Sequence, residues 1–172
     1  MVGDALALWL YGVLPLWIAA GFADWWCHRR TAIEHHSGWR ESAFHCALFA
    51  QMGAATLMTL LLEPTPAVLA ILAAAIVAHE ATTWLELRFV VGRRAVRPFE
   101  QMVHSFMEVL PLAGLLLLAL TPPATGAAGL ALRHQPLPAA TLVGLCTASL
   151  VFNVVPLLEE LWRCLRARRR PA

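Results

Sequence analysis

The sequence predicts an all-α integral membrane protein, a bundle of about five transmembrane helices of which four surround a polar interior. Three observations carry that prediction. Apolar residues make up 59% of the 172 residues and mean hydropathy is +0.64, above the roughly 45–50% apolar content of soluble domains. Five mostly apolar stretches each approach the roughly 20 residues that a hydrocarbon core about 30 Å thick demands of a helix. The basic residues fall almost entirely in alternate loops. A single membrane domain over 1–172 follows, because the connections are too short to hold another.

The first stretch, roughly 5–27, has no early Lys or Arg before it, so it lacks the n-region of a cleavable leader and is expected to be retained. The second covers roughly 42–62. Glu63-Pro64-Thr65-Pro66 then makes a tight turn, because neither proline can donate a backbone hydrogen bond and Pro66 suits the first turn of a helix. The third stretch covers roughly 66–91. Arg97-Pro98 opens the fourth, roughly 99–121, by the same logic. Thr121 to Pro138, rich in Pro, Gly and Ala, has no periodic pattern and reads as an irregular external loop before the fifth stretch, roughly 138–158. Short loops predict antiparallel packing of neighbours. Cys27, Cys46, Cys146 and Cys164 form no CxxC pair and read as small packing residues.

All thirteen basic residues are arginine. Twelve fall in the first loop (Arg29, Arg30, Arg40), the third loop (Arg88, Arg93, Arg94, Arg97) and the C-terminus (Arg163, Arg166, Arg168, Arg169, Arg170), and only Arg133 lies on the other side. That asymmetry predicts an external N-terminus and a cytoplasmic C-terminus, in a bacterial-type inner or plasma membrane. Trp25, Trp26, Trp39 and Trp162 lie near the same boundary, where indoles commonly sit. The arginine-rich tail reads as an anchor on the lipid bilayer rather than as a nucleic-acid contact.

Against this background the ionisable residues inside the spans stand out. A charge near the bilayer centre costs about 2.5–3.5 kcal/mol even on insertion scales. Asp24 and His28 end the first span, Glu41 and His45 begin the second, His79, Glu80 and Glu86 lie in the third, and Glu100, His104 and Glu108 in the fourth. Asp24/His28, Glu41/His45 and Glu100/His104 are four apart and share a helix face, and Glu108 extends the last pair. His79 and Glu86 are two turns apart on one face. The order His…Glu…Glu-xxx-His occurs twice, as His28, Glu34, Glu41, His45 and as His79, Glu86, Glu100, His104, a weak repeat that could place matching ligands around two ions.

Imidazole with carboxylate suits first-row transition metals. The set resembles the di-iron carboxylate proteins in ligand inventory and helix number, over roughly residues 24–108, although the spacing here is Glu-x-x-x-His rather than Glu-x-x-His. That resemblance implies two metal ions, iron foremost with zinc or manganese as alternatives. His28, His45, His79 and His104 would hold them with Glu41, Glu86, Glu100 and Glu108, and Asp24 and Glu34 would support or complete the set. The expected activity is an oxidoreductase that uses dioxygen on a lipid-like or apolar substrate, with electrons from a cytoplasmic donor. A zinc-dependent membrane hydrolase, a metal or proton transporter and a bis-histidine haem protein are the alternatives; the carboxylate beside each histidine argues against haem. An interfacial ion-pair network with the arginines explains Glu34, Arg40 and Arg88, but not His79 and Glu108, roughly 15–18 Å inside their spans. Glu159 and Glu160 are expected to be solvated, His35 and His36 to lie on the surface, and His134 to lie in the external loop, unrelated to the site.

Overall fold

The computed structural model describes residues 4–169, so Arg170 lies outside the described residues. Five helices are long and apolar enough to cross a membrane: α1 (Asp4–Thr31), α2 (Trp39–Leu61), α3 (Pro66–Val90), α4 (Pro98–Ala119) and α5 (Ala139–Arg168). The expected spans are all present, and the largest difference is at the end of α5, which continues ten residues beyond the expected 158.

Local chemistry sets the boundaries. Pro66 opens α3, and the Thr65 hydroxyl caps it by accepting the Val68 N–H at 3.3 Å. Pro98 opens α4, where the Glu100 carboxylate accepts the Arg97 N–H at 3.5 Å. Within α1 and α5 a single π turn, Trp9–Val13 and Leu150–Val154, shortly precedes a proline, Pro15 and Pro156. Proline cannot donate to the carbonyl four residues back, and a widened turn before it accommodates the missing bond.

The α1–α2 connection is short and fixed. Ala32 adopts φ +51° and closes α1 with its N–H on the His28 carbonyl, and a 3-10 turn, Ile33–His35, follows with Ile33 fully buried. Gly38 then takes φ +66°, ψ −152°, a region that residues with a Cβ avoid. His35 and His36 are exposed, as is His134 at the far end.

Helices α2 and α3 pack together, as do α3 and α4, in the antiparallel manner the short loops imply. Helix α1 packs against α4 and α5, and α2 packs against α5 as well as α3, so the order around the bundle is α1, α4, α3, α2, α5. The first two helices are therefore separated by the fifth. Gly114 permits the close α1–α4 approach, because a Cβ there would lie 2.7 Å from Trp9 Nε1. In lipid such packing, rather than transfer out of water, favours helix association.

One end of the ring carries an arginine–tryptophan belt, with Arg29 over Trp25, Arg30 over Trp26, Arg168 over Trp39 and Arg166 over Trp162, all within 5.6 Å of the ring centroid. The opposite end holds an apolar core of Leu6, Trp9, Leu10 and Leu14 with Leu60, Val68, Leu72, Leu118 and Leu137. Leu137 belongs to the segment expected to be an irregular external loop. It is irregular, but it is pinned. Leu62 and Leu132 form an isolated bridge, the Glu63 N–H donates to the Ala131 carbonyl at 2.9 Å, and the Thr65 hydroxyl donates to the Gly129 carbonyl at 2.6 Å. The buried Glu63 carboxylate accepts the N–H groups of His134 at 2.9 Å and Ala124 at 3.2 Å.

Burial by itself would raise the Glu63 pKa, but those two N–H groups and the Arg133 charge together hold it below the ordinary value. A depressed folded-state pKa stabilises the docked loop above the unfolded value, near 4.3, and that stabilisation is lost as pH falls through the lower folded value. Glu63→Gln is expected to cost about 1 kcal/mol and to speed proteolysis within 121–138 at neutral pH. The wild-type loop should acquire the same sensitivity only on acidification below about pH 4; an acid-independent cleavage rate would contradict this account.

Candidate metal centre

At the arginine-rich end, five helices and one loop converge on a buried polar cluster. Helix α1 supplies Asp24 and His28, α2 supplies Glu41 and His45, α3 supplies Glu86, and α4 supplies Glu100 and His104, the four-residue spacings placing each pair on one inward face. Helix α5 adds Glu160, and the 91–97 connection adds Arg94. His28, Glu41, Glu100 and Glu160 are each no more than 2% exposed.

The two central imidazoles, His28 and His45, stack with centroids 4.4 Å apart and planes 3° from parallel. Both Nδ1 atoms face the Glu160 carboxylate, His28 at 3.1 Å and His45 at 2.7 Å. A single carboxylate thus holds both rings by the same edge. Their Nε2 atoms face other groups. His45 Nε2 lies 2.7 Å from Glu86 and 3.9 Å from Glu41, and His28 Nε2 lies 3.4 Å from Glu100 and 3.5 Å from Asp24. His104 Nε2 lies 2.9 Å from the same Asp24 oxygen. Buried His28 Nε2 has no hydrogen-bond partner, which is costly for a polar atom unless something else engages it.

Among the described residues, three overlapping groups have donor atoms all within 4.8 Å of one another and could hold an ion: Asp24, His28 and His45; His28, Glu100 and His104; and Glu41, His45 and Glu86. Glu160, on the Nδ1 edge of His28 and His45 and opposite their Nε2 atoms, matches the arrangement by which metal-binding histidines are commonly oriented and kept in one tautomer. Asp24, Glu41, Glu86, Glu100 and Glu160 are buried against one buried guanidinium, an excess of negative charge that protonated histidines or bound cations could offset.

Arg94 supplies the positive charge that the sequence itself provides. Its Nη2 lies 2.5 Å from Glu41 and 2.6 Å from Glu100, and its Nε donates to Glu41 at 3.0 Å. Burial would lower the pKa of the guanidinium, but the hydrogen bonds and charges of Glu41 and Glu100 push it up, so it stays charged. Ser37, brought round by the Gly38 turn, donates to Glu41.

Seven of the ten expected site residues meet in this cluster: Asp24, His28, Glu41, His45, Glu86, Glu100 and His104. The other three do not. Glu34 sits in the 3-10 turn and pairs with Arg163, because the chain has already left α1 and faces the end of α5. His79 and Glu108 line the central cavity beyond the cluster, two turns from Glu86 and one turn from His104, and belong to none of the three groups. The two halves of the apparent repeat are therefore not equivalent, since Glu34 and Glu86, and His28 and His79, occupy different surroundings.

Glu160 corrects the expectation of a solvated residue, whereas its neighbour Glu159 does lie at the edge, bonded to Trp25 and Arg29. A signal was available: apolar residues at 157, 158, 161, 164 and 165 continue the helical period past 158, and Pro156, Glu160 and Cys164 form the buried stripe of that extension. Nothing in the sequence distinguishes Arg94 from Arg93 or Arg97.

No protein-family model, curated protein or solved structure matches the chain.

Removing Arg94 would leave Glu41 and Glu100 without their shared cation. Arg94→Ala is expected to destabilise by about 3–5 kcal/mol, as breaking a buried ion pair does. Arg94→Lys should recover only part, since an ammonium cannot reproduce the two-pronged contact. Unfolding of the detergent-solubilised variants would measure both, and an unaltered Arg94→Ala would show that the cluster does not depend on this charge.

Proposed function

We propose that the chain is a membrane-embedded di-metal oxidoreductase, with iron the leading metal, that uses dioxygen to hydroxylate or desaturate an apolar, lipid-like substrate. The observation that carries this reading is a buried excess of carboxylate, interleaved with three imidazoles, directly beside an otherwise largely apolar cavity of about 550 Å³ lined by the five helices. An ionisable cluster at membrane depth is a functional hypothesis by default, and this one has the oxygen and nitrogen donors that iron or manganese prefers.

In this reading Asp24, His28, Glu100 and His104 hold one ion, and Glu41, His45 and Glu86 hold the other. Glu160, on both Nδ1 atoms, would hold the two stacked imidazoles so that their Nε2 atoms stay available to metal. Two redox-active ions held there would supply dioxygen activation. Hydroxylation consumes one dioxygen, two electrons and two protons, and yields one C–OH and one water; desaturation consumes the same and releases two waters. The electrons come from a reductant on the arginine-rich side. The arginine asymmetry supports placing that side in the cytoplasm, with the N-terminus outside, as in a bacterial-type inner or plasma membrane. In this reading His79, whose buried Nδ1 has no partner among the described residues, and Glu108, which line the cavity two turns beyond Glu86 and one turn beyond His104, would move the protons.

Elemental analysis of purified protein tests the reading. About two irons per chain are expected in the wild type, with an absorption that bleaches on reduction. His45→Ala and His104→Ala should each lose metal, while His79→Ala should retain it and lose turnover. A single redox-silent zinc would replace the proposal with hydrolysis, a Soret band would replace it with haem chemistry, and persistent absence of metal would leave an ion or proton pathway.

A further inference from the structure

The central cavity is much longer than it is wide. Along α2 it reaches from His45 to Leu60, along α1 from His28 to Leu14, and along α5 from Glu160 to Leu145. Each run is 14–15 residues, about 21 Å at the helical rise. A volume of about 550 Å³ drawn out over that length makes an elongated slot with room for an extended hydrocarbon chain. Away from the cluster the α1–α2–α5 wall is built mainly of residues such as Trp17, Ile18, Phe49, Met52 and Leu157. Asn153, the most polar residue of that stretch, is already engaged, its amide donating to the Ile18 carbonyl at 3.0 Å.

The two ends are closed and one side is open. The acid–histidine cluster closes one end, and the pinned 121–138 segment with the Leu60 and Leu137 core closes the other. On the side, Leu57 of α2 and Leu150 of α5 line the cavity while remaining 54% and 53% exposed. The packing of α2 on α5 falls mainly on Val155–Arg168, and Ala139–Ser149 has no buried residue at all. The gap lies at the depth where the surrounding medium would be acyl chain.

We infer that the cavity is a binding slot for an extended hydrocarbon chain, which enters sideways from the bilayer between α2 and the first half of α5 and lies along the bundle with one end beside the acid–histidine cluster. This assignment of substrate class rests on the oxidoreductase reading for its chemical purpose, but the slot itself does not. Gly53 provides the means of testing it. It lines the slot eight residues, about 12 Å, beyond His45, and a Cβ added there would meet nothing within 4 Å. A larger side chain at 53 should fill the slot without moving backbone.

The probe is hexadecanol bearing a mid-chain diazirine, photolysed with the protein in lipid nanodiscs, with the adducts mapped by peptide mass spectrometry. Wild type should be labelled within the slot, at Phe49, Met52 or Leu157, in addition to lipid-facing positions such as Val77 and Val143. Gly53→Phe should lower slot labelling at least tenfold while leaving metal content and lipid-facing labelling unchanged; Leu57→Trp, at the opening, should do the same if Gly53→Phe does not fold. Metal-stripped wild type should label as the native protein does. Slot labelling blocked by Gly53→Phe in a protein that never holds metal would uphold the slot and overturn the oxidoreductase reading. Labelling confined to lipid-facing residues, or slot labelling that neither variant lowers, would overturn the slot whatever the metal content.

Discussion

The concentration of negative charge at one end of the bundle is the constraint on which the remaining structure depends. Two unit charges 4 Å apart interact by about 4 kcal/mol at an effective dielectric near 20, and five carboxylates share this interior. Left uncompensated, their repulsion would exceed the net stability of an ordinary domain, roughly 5–15 kcal/mol. The architecture around them consists of devices for compensation. Arg94 reaches in from a loop to bridge Glu41 and Glu100, Asp24 is shared by His28 and His104, and Glu160 is shared by His28 and His45. Nearly every buried acid in the cluster serves two partners, which is how a small volume holds so many.

That demand explains why the fifth helix is a wedge between the first two. Were α1 and α2 packed directly, the His28 and His45 rings would have no third surface to fix them. Helix α5 instead brings Glu160 against both Nδ1 atoms, and the parallel stacking of the rings follows from their sharing one carboxylate. The same wedge leaves the other half of α5 with little to pack on. Polar closure at one end and an opening to the side are thus two results of one helix lying between two others, with the π turn Leu150–Val154 at the change from the loosely packed half to the tightly packed one.

Much of this was legible in the residues. The number of spans follows from apolar length, as do their limits apart from the end of α5, and the three i, i+4 acid–histidine pairs identify inward faces, because a helix repeats about every 3.6 residues whatever surrounds it. Seven of the ten expected site residues meet for that reason. Glu34 was misplaced because it lies outside regular helix, where periodicity predicts no direction. His79 and Glu108 do lie on inward faces; what periodicity lacks is depth relative to residues on other helices, and they sit beyond the reach of the cluster. Glu160 lies where hydropathy weakens, after 158, although the helical period of its apolar neighbours does not.

By itself, then, the sequence determined that the chain is a bundle of membrane-length helices, that its charge is divided between two ends, and that acids and histidines face inward; each of these depends on local spacing or composition. Only the tertiary structure decided which donors meet, that α5 lies between α1 and α2, that Arg94 and not its neighbours enters the interior, and that the cavity is a slot open on one side. Those depend on the order of helices around the ring and on their relative heights. Lipid-facing and cavity-facing apolar residues are alike in composition, so no pattern within a single helix encodes either.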